Sequence, residues 1–178
     1  MSKVAILIGS VRPNRRSMQV AKWLQGQLTQ VGSVQYDLID LKYVNLPMMN
    51  EPNVPFTGIY THEATKQWSQ LIQGYDGFVF LFPQYNGGYP AVIKNAIDYL
   101  AKEWTDKPVS MVTFGAHGGN LGQTAMRSVI TTLRMKQMSV NLQISIMPDD
   151  STEKADEILH GYNFNANLLG QEFAKKLN

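Results

Sequence analysis

The chain has 178 residues, 44% hydrophobic and 17% charged, a composition ordinary for a folded globular protein at a length that buries roughly 70% of the surface an unfolded chain exposes. Sixteen basic residues against fourteen acidic ones leave a formal net charge of +2, too mild to argue for a nucleic-acid partner and equally suited to a small anionic ligand. The absence of cysteine excludes disulfides, thiolate metal sites and cysteine nucleophiles.

The first apolar run, Val4–Ile8, is too short for a signal-peptide core or a membrane span, and no later segment approaches membrane length. The expectation is a soluble, intracellular, cytoplasmic protein with no membrane partner, folded as one domain over residues 1–178. Further strands are predicted at Val34–Ile39, Phe78–Phe82, Val109–Phe114 and Val140–Ile146, several nearly continuous in apolar residues, as when helices cover both faces of a parallel sheet. Between them, Ala21, Leu24, Leu28 and Val31 give a first helix one apolar face. A second helix is predicted over His62–Gly74, a third from Pro90 to about Glu103, a fourth from about Leu121 to Met138, and a fifth from about Asp156 to Leu177. The segment Lys42–Tyr60, with prolines at 47, 52 and 55, reads as a long irregular loop: a rim or lid, a structural wrap, or a subunit contact.

Five strand–helix units in this order call for a three-layer α/β domain. For a five-stranded parallel sheet of order 2-1-3-4-5, ligands bind beyond the carboxyl ends of the strands where the order reverses. The loops after strands one, three and four therefore carry the argument.

The first loop, GSVRPNRRS from Gly9 to Ser17, holds three arginines, two serines and an asparagine ahead of a helix. Helix N-termini favour anions, and hydroxyls with guanidinium forks suit a terminal phosphate; Arg12 and Arg15 are the expected contacts, with Arg16 pointing to water. The spacing is neither G-x-G-x-x-G nor a Walker A ending, and the plain alternative is a helix start capped by Ser17 with solvated arginines. In the second loop, Pro83, Gln84, Tyr85 and Asn86 offer a flat face and amide groups to a planar heteroaromatic ring, with Gly87 and Gly88 allowing close approach; the alternative is a hairpin-like turn whose tyrosine covers the core edge. The third, FGAHGGN from Phe114 to Asn120, again lets backbone N–H groups face a ligand, and His117 reads more readily as a rim residue than as a catalytic base. His62 and His160 read as surface positions, Asp149 and Asp150 as turn or capping residues, and no group of side chains has metal spacing or a Ser/His/Asp arrangement. A phosphorylated planar ring fits all three loops, FMN better than a dinucleotide.

The segments GSVRPNRR…VAKWL, PQYNGGYPAVIKNAIDYL…EW…KPV and GAHGG…L resemble the NAD(P)H-dependent FMN reductase family of flavodoxin-like fold, nearest its quinone-reductase-like branch, from Val4 to about Leu142. The resemblance implies FMN as cofactor and NADPH or NADH as donor of a hydride, with a quinone, flavin, azo compound or similar small molecule as acceptor. It places Ser10, Arg12, Arg15 and Ser17 at the phosphate, with Asn14 and Arg16 beside them. Pro83, Gln84, Tyr85 and Asn86 fall against the isoalloxazine, and Gly115, Ala116, His117, Gly118 and Gly119 at its pyrimidine side. No catalytic acid, base or nucleophile is required of the chain; Tyr85 and His117 are rim candidates. Gln84 stands where much of the family has glutamate. The resemblance also implies a homodimer or a dimer of dimers, with Tyr99 and Trp104 as contact candidates. A flavodoxin-type electron carrier and a non-enzymatic FMN-binding module are the rival readings.

Overall fold

Alternation along the strands sets the architecture. In the computed structural model, which describes residues 1–177, the central strands are Ser2–Ile8 (β1), Gly77–Pro83 (β3) and Pro108–Gly115 (β4). Val4, Ile6, Ile8, Val79, Leu81 and Val112 point to one face, and Ala5, Leu7, Phe78, Phe80, Phe82 and Met111 to the other. Both sets are fully buried, so the period-two pattern is hidden in the sequence as continuous apolar runs. The first face packs against Ser17–Gln30 (α1), Thr152–His160 (α6) and Asn163–Leu177 (α7). The second packs against Glu63–Gln73 (α3), Ala91–Asp98 (α4) and Asn120–Thr132 (α5). Val34–Asp40 (β2) closes one edge beside β1, and Leu41–Val44 (α2) follows it.

The pairings between the described strands are parallel, in the order β2-β1-β3-β4 and then a fifth position filled by two segments, Lys136–Gln137 (β5) and Leu142–Ser145 (β6), each on β4. The three-layer arrangement and the 2-1-3-4-5 order agree with expectation; the interruption does not. Where a continuous strand would accept the Met111 N–H, the side-chain Oδ1 of Asn141 does so at 2.9 Å. Ser110 Oγ donates to the Val140 carbonyl at 2.7 Å, so the gap leaves neither group unpaired.

Three predicted helices have different bounds. The one expected to reach Met138 stops at Thr132, because Arg134 turns left-handed (φ 57°) and sends the chain to β4. The one expected over residues 156–177 is two: Ser151 Oγ accepts the Lys154 N–H at 3.1 Å and starts α6 early. Gly161 then ends it, and Trp23 Nε1 holds Asn163 at the start of α7 (2.9 Å). The one expected to run to Glu103 stops at Asp98, where Trp68 Nε1 and Trp104 Nε1 donate to the carbonyls of Ala96 (2.8 Å) and Ile97 (3.1 Å). These bonds satisfy groups a helix end leaves free.

The long 42–60 segment is a wrap over α4. Asn95 accepts from Met49 N–H (2.9 Å) and donates to the Pro47 carbonyl (2.8 Å), which also takes the Tyr99 hydroxyl (3.0 Å). Tyr60 donates to the buried Glu103 carboxylate, 2.9 Å from either oxygen, and Ser69 reaches it at 2.6 Å. Tyr99 and Trp104, expected as subunit contacts, are instead buried within this chain's own core, Trp104 edge-on to Phe78 with centroids 4.8 Å apart. No described helix is long and apolar enough to cross a membrane.

Candidate functional site

The carboxyl ends of β1, β3 and β4, with the segment after β6, enclose a cleft of about 330 Å³, within the roughly 300–1,000 Å³ of small-molecule sites. Its floor is the loop between β1 and α1, contributing Ser10, Arg12, Asn14, Arg15, Arg16 and Ser17; Pro83, Gln84 and Tyr85 form one wall, and Phe114, Gly115 and Ala116 another.

The floor is a helix start with no side-chain cap. Arg16 occupies the N-cap position without a capping bond, and Ser17, the first helical residue, is fully buried. Its hydroxyl has no hydrogen-bond partner among the described residues. The first N–H groups of a helix lack intrahelical acceptors, so unanswered donors collect here. Ser17 thus does not play the capping role the plain alternative gave it.

The arginines divide the work. Arg15 is nearly buried, one guanidinium nitrogen paired with Asp40 at the end of β2 and the other donating to the Ser10 carbonyl. Arg16, expected to point to water, lines the cleft and braces the far wall, donating to the carbonyls of Asp150 and Ser151 and to Gln19 Oε1 (3.1 Å). Arg12 is exposed, its guanidinium carbon 5.9 Å from the Tyr85 ring centroid, within reach of a weak cation–π contact.

The second loop is a hairpin turn whose tyrosine faces the cleft. Tyr85 and Gly88 exchange both backbone hydrogen bonds at 2.9 Å, closing a two-residue turn in which Asn86 (φ 47°) and Gly87 (φ 79°) are left-handed, as a type I′ hairpin requires. The turn aims Tyr85 into the cleft, where its hydroxyl meets Ser10 Oγ at 2.8 Å, and leaves Asn86 exposed outside the lining. Gln84 Oε1 accepts from the N–H groups of Leu121 (2.9 Å) and Gly122 (3.1 Å), capping α5 from a neighbouring strand.

Of the third loop's expected site residues, Gly115 and Ala116 line the cleft, beside Phe114 at the loop's start. His117 is exposed at the tip of a turn closed by Gly118 N–H on the Gly115 carbonyl (2.9 Å). Gly118 and Gly119 are buried; a Cβ on Gly119 would fall 2.8 Å from Thr113 Cβ. Sequence reasoning missed Pro13, Phe114 and the wall made by Ile146, Met147 and Pro148. The latter's one signal was its place after the fifth strand position. Asp150, read as a turn residue, accepts the Met147 N–H at 2.7 Å and holds that wall in place. Among the described residues no group of His, Cys, Asp or Glu could hold a metal ion.

A parallel sheet of order 2-1-3-4-5 with helices on both faces, and a cleft at its switch point, is the flavodoxin-like arrangement. Residues 2–146 match the model of the NADPH-dependent FMN reductase family, and the chain belongs to that family. It is 42% identical over 136 residues to an NAD(P)H-dependent FMN reductase of Schizosaccharomyces pombe, covering 75% of this chain and 68% of that one. A 2-hydroxy-1,4-benzoquinone reductase of Burkholderia is 25% identical over 182 residues, 98% and 90% of the two chains. Among solved structures, the flavoenzyme NAD(P)H:(acceptor) oxidoreductase FerB of Paracoccus denitrificans superposes with a TM-score of 0.71 at 22% identity, over 96% and 98% of the chains. The chain is thus an NAD(P)H-dependent oxidoreductase with FMN as its cofactor.

Proposed function

We propose that the cleft holds FMN with its phosphate on the floor loop and its ring between Tyr85 and the Gly115–Ala116 turn, and that electrons leave to a planar small molecule of quinone or azo type. The observation that carries this reading is Ser17: a fully buried hydroxyl without a partner among the described residues, at an uncapped helix start, lining a cleft with three arginines. A buried polar group in that condition costs about 1–3 kcal/mol, which a bound phosphate oxygen would offset.

When bound, FMN supplies the two-electron carrier between nicotinamide and acceptor. The chain's residues bind and orient. Ser10, Arg12, Asn14 and Ser17 hold the phosphate together with the first N–H groups of α1. Arg15 and Arg16 frame that loop from Asp40 and from residues 150–151. Tyr85, fixed by Ser10, sets the near edge of the ring site, and Gly115, whose φ of 143° a side chain rarely adopts, brings backbone close to the far edge. Asn86, His117, Gly118 and Gly119 act on the ring only through the turns they build. No protein acid or base would be needed for the hydride transfer that bound FMN would supply, and donor and acceptor would enter the cleft in turn. The benzoquinone reductase relative supports the acceptor class.

The whole chain is read as one flavodoxin-like unit working in the cytoplasm as a homodimer, or as a pair of dimers. The dimer reading is supported by a second groove, about 490 Å³, lined by Met49, Phe56, Tyr89, Val129 and Leu133, in which Phe56 is 53% exposed. Sedimentation of the wild type and of Phe56→Asp tests it: a monomeric wild type refutes it.

Anaerobic mixing of the FMN-loaded protein with NADPH and with NADH, followed by a panel of quinone, azo and flavin acceptors, tests the function. Rapid bleaching of the flavin band and reoxidation by a quinone are expected. A flavin that stays oxidised for minutes with both donors contradicts it.

A further inference from the structure

The carboxylate that ends β2 is turned towards the floor of the cleft. Asp40 and Arg15 are 9% and 10% exposed at their side chains and form an ion pair. Asp40 Oδ1 also accepts the Lys42 N–H at 3.0 Å, which anchors the carboxylate to the start of α2. Arg15 spends its second nitrogen on the Ser10 carbonyl, and Ser10 Oγ lies 2.8 Å from Tyr85 Oη. A continuous series of contacts thus runs from the end of β2, through the floor loop, to the hairpin after β3.

From this we infer that Asp40 is a positioning residue for cofactor binding: acting through Arg15, it fixes the Ser10 peptide and hence the direction in which the 9–17 loop presents its donors. The inference rests on the reading of that loop as the phosphate site. Charge alone argues the other way, since a carboxylate near a dianion repels it and removing it would strengthen binding. Geometry decides against that outcome. Arg15 is tied to protein at both ends and belongs to the floor, so freeing it would loosen the loop instead of adding an arm that reaches the ligand. A buried pair that loses one member also leaves an uncompensated charge.

The test measures FMN and riboflavin affinity of the refolded apoprotein for wild type, Asp40→Asn, Asp40→Glu, Arg15→Gln, the Arg15→Gln/Asp40→Asn double variant and Ser17→Ala. Asp40→Asn is expected to weaken FMN by roughly tenfold or more while riboflavin, which lacks the phosphate, changes less than about twofold. Asp40→Glu keeps the charge on a longer arm, folds if the neutral variant does not, and loses FMN affinity in the same phosphate-selective way. In the Arg15→Gln background Asp40→Asn adds nothing, the non-additivity of residues acting as one unit. Unchanged or tighter FMN binding in both Asp40 variants overturns the inference, as does an equal loss of riboflavin or full additivity. If Ser17→Ala also leaves FMN affinity intact, the phosphate reading itself has failed; if Ser17→Ala weakens FMN and the Asp40 variants do not, only the role of Asp40 falls.

Discussion

Ser10 Oγ and Tyr85 Oη lie 2.8 Å apart, joining residues 75 positions distant in sequence across the switch point of the sheet. The bond makes the loop after β1 and the hairpin after β3 one structure. Tyr85→Phe removes it at a half-buried site and is expected to cost about 0.5–1.5 kcal/mol of apoprotein stability. It should also lower flavin retention, because Ser10 is then free to rotate. Thermal melting and flavin content of the purified variant check both effects, and unchanged values for both would mean that the two loops are positioned independently.

Gly122 sets how closely α5 approaches the hairpin. A Cβ there would lie 2.9 Å from the Gly88 carbonyl oxygen, a backbone atom held by the Tyr85–Gly88 pair. Gly122→Ala is expected to destabilise by about 1–3 kcal/mol and to displace Tyr85, which urea unfolding and the near-ultraviolet spectrum of the flavin-bound protein would detect.

Gln84 reaches α5 through its side-chain oxygen alone. Gln84→Leu is therefore expected to lose about 0.5–2 kcal/mol, the cost of an N-terminal cap. Gln84→Glu keeps the acceptor and adds a negative charge at a helix N-terminus, where it is favoured, so its melting temperature should equal or exceed that of the wild type. The geometry therefore accepts either residue at the position.

The strand order, the covering of both sheet faces by helices and the three loops that meet at the cleft were legible in the sequence because each follows from local pattern and from the geometry of parallel sheets. What escaped reading depends on contacts between distant positions. Nothing local separates the segment up to Met138 from the end of a helix; the left-handed Arg134 and the pairing of Lys136–Gln137 with β4 show that the chain has left it. Arg15 looks like a free phosphate ligand until Asp40, 25 residues on, is found beside it. Tyr99 and Trp104 carry no sequence mark that distinguishes a core aromatic from an interface one; their burial against the 42–60 wrap and the sheet does.

The wrap has its own pH signature. Burial, then the bond to Glu103, pushes the Tyr60 phenol well above its usual range, and burial with Asp37 nearby pushes Tyr75 up to about 12. A group whose folded pKa is raised contributes stability fully below its unfolded value, about 10 for tyrosine, and loses it as pH climbs through the folded value. Stability should accordingly fall between about pH 10 and 12, and less steeply in Tyr60→Phe. At neutral pH that variant should be less stable by roughly 1–3 kcal/mol, because the buried Glu103 has lost a donor. Urea unfolding at stepped alkaline pH checks both signs.

The central claim, that the 9–17 loop is built to receive a phosphate, is tested most directly at Ser17. Its hydroxyl is buried and has no partner among the described residues, so Ser17→Ala should leave the melting temperature of the apoprotein unchanged or raise it. The same change should weaken FMN by roughly tenfold or more and leave riboflavin untouched. An apoprotein that loses stability while its FMN affinity stays at the wild-type value would contradict the account.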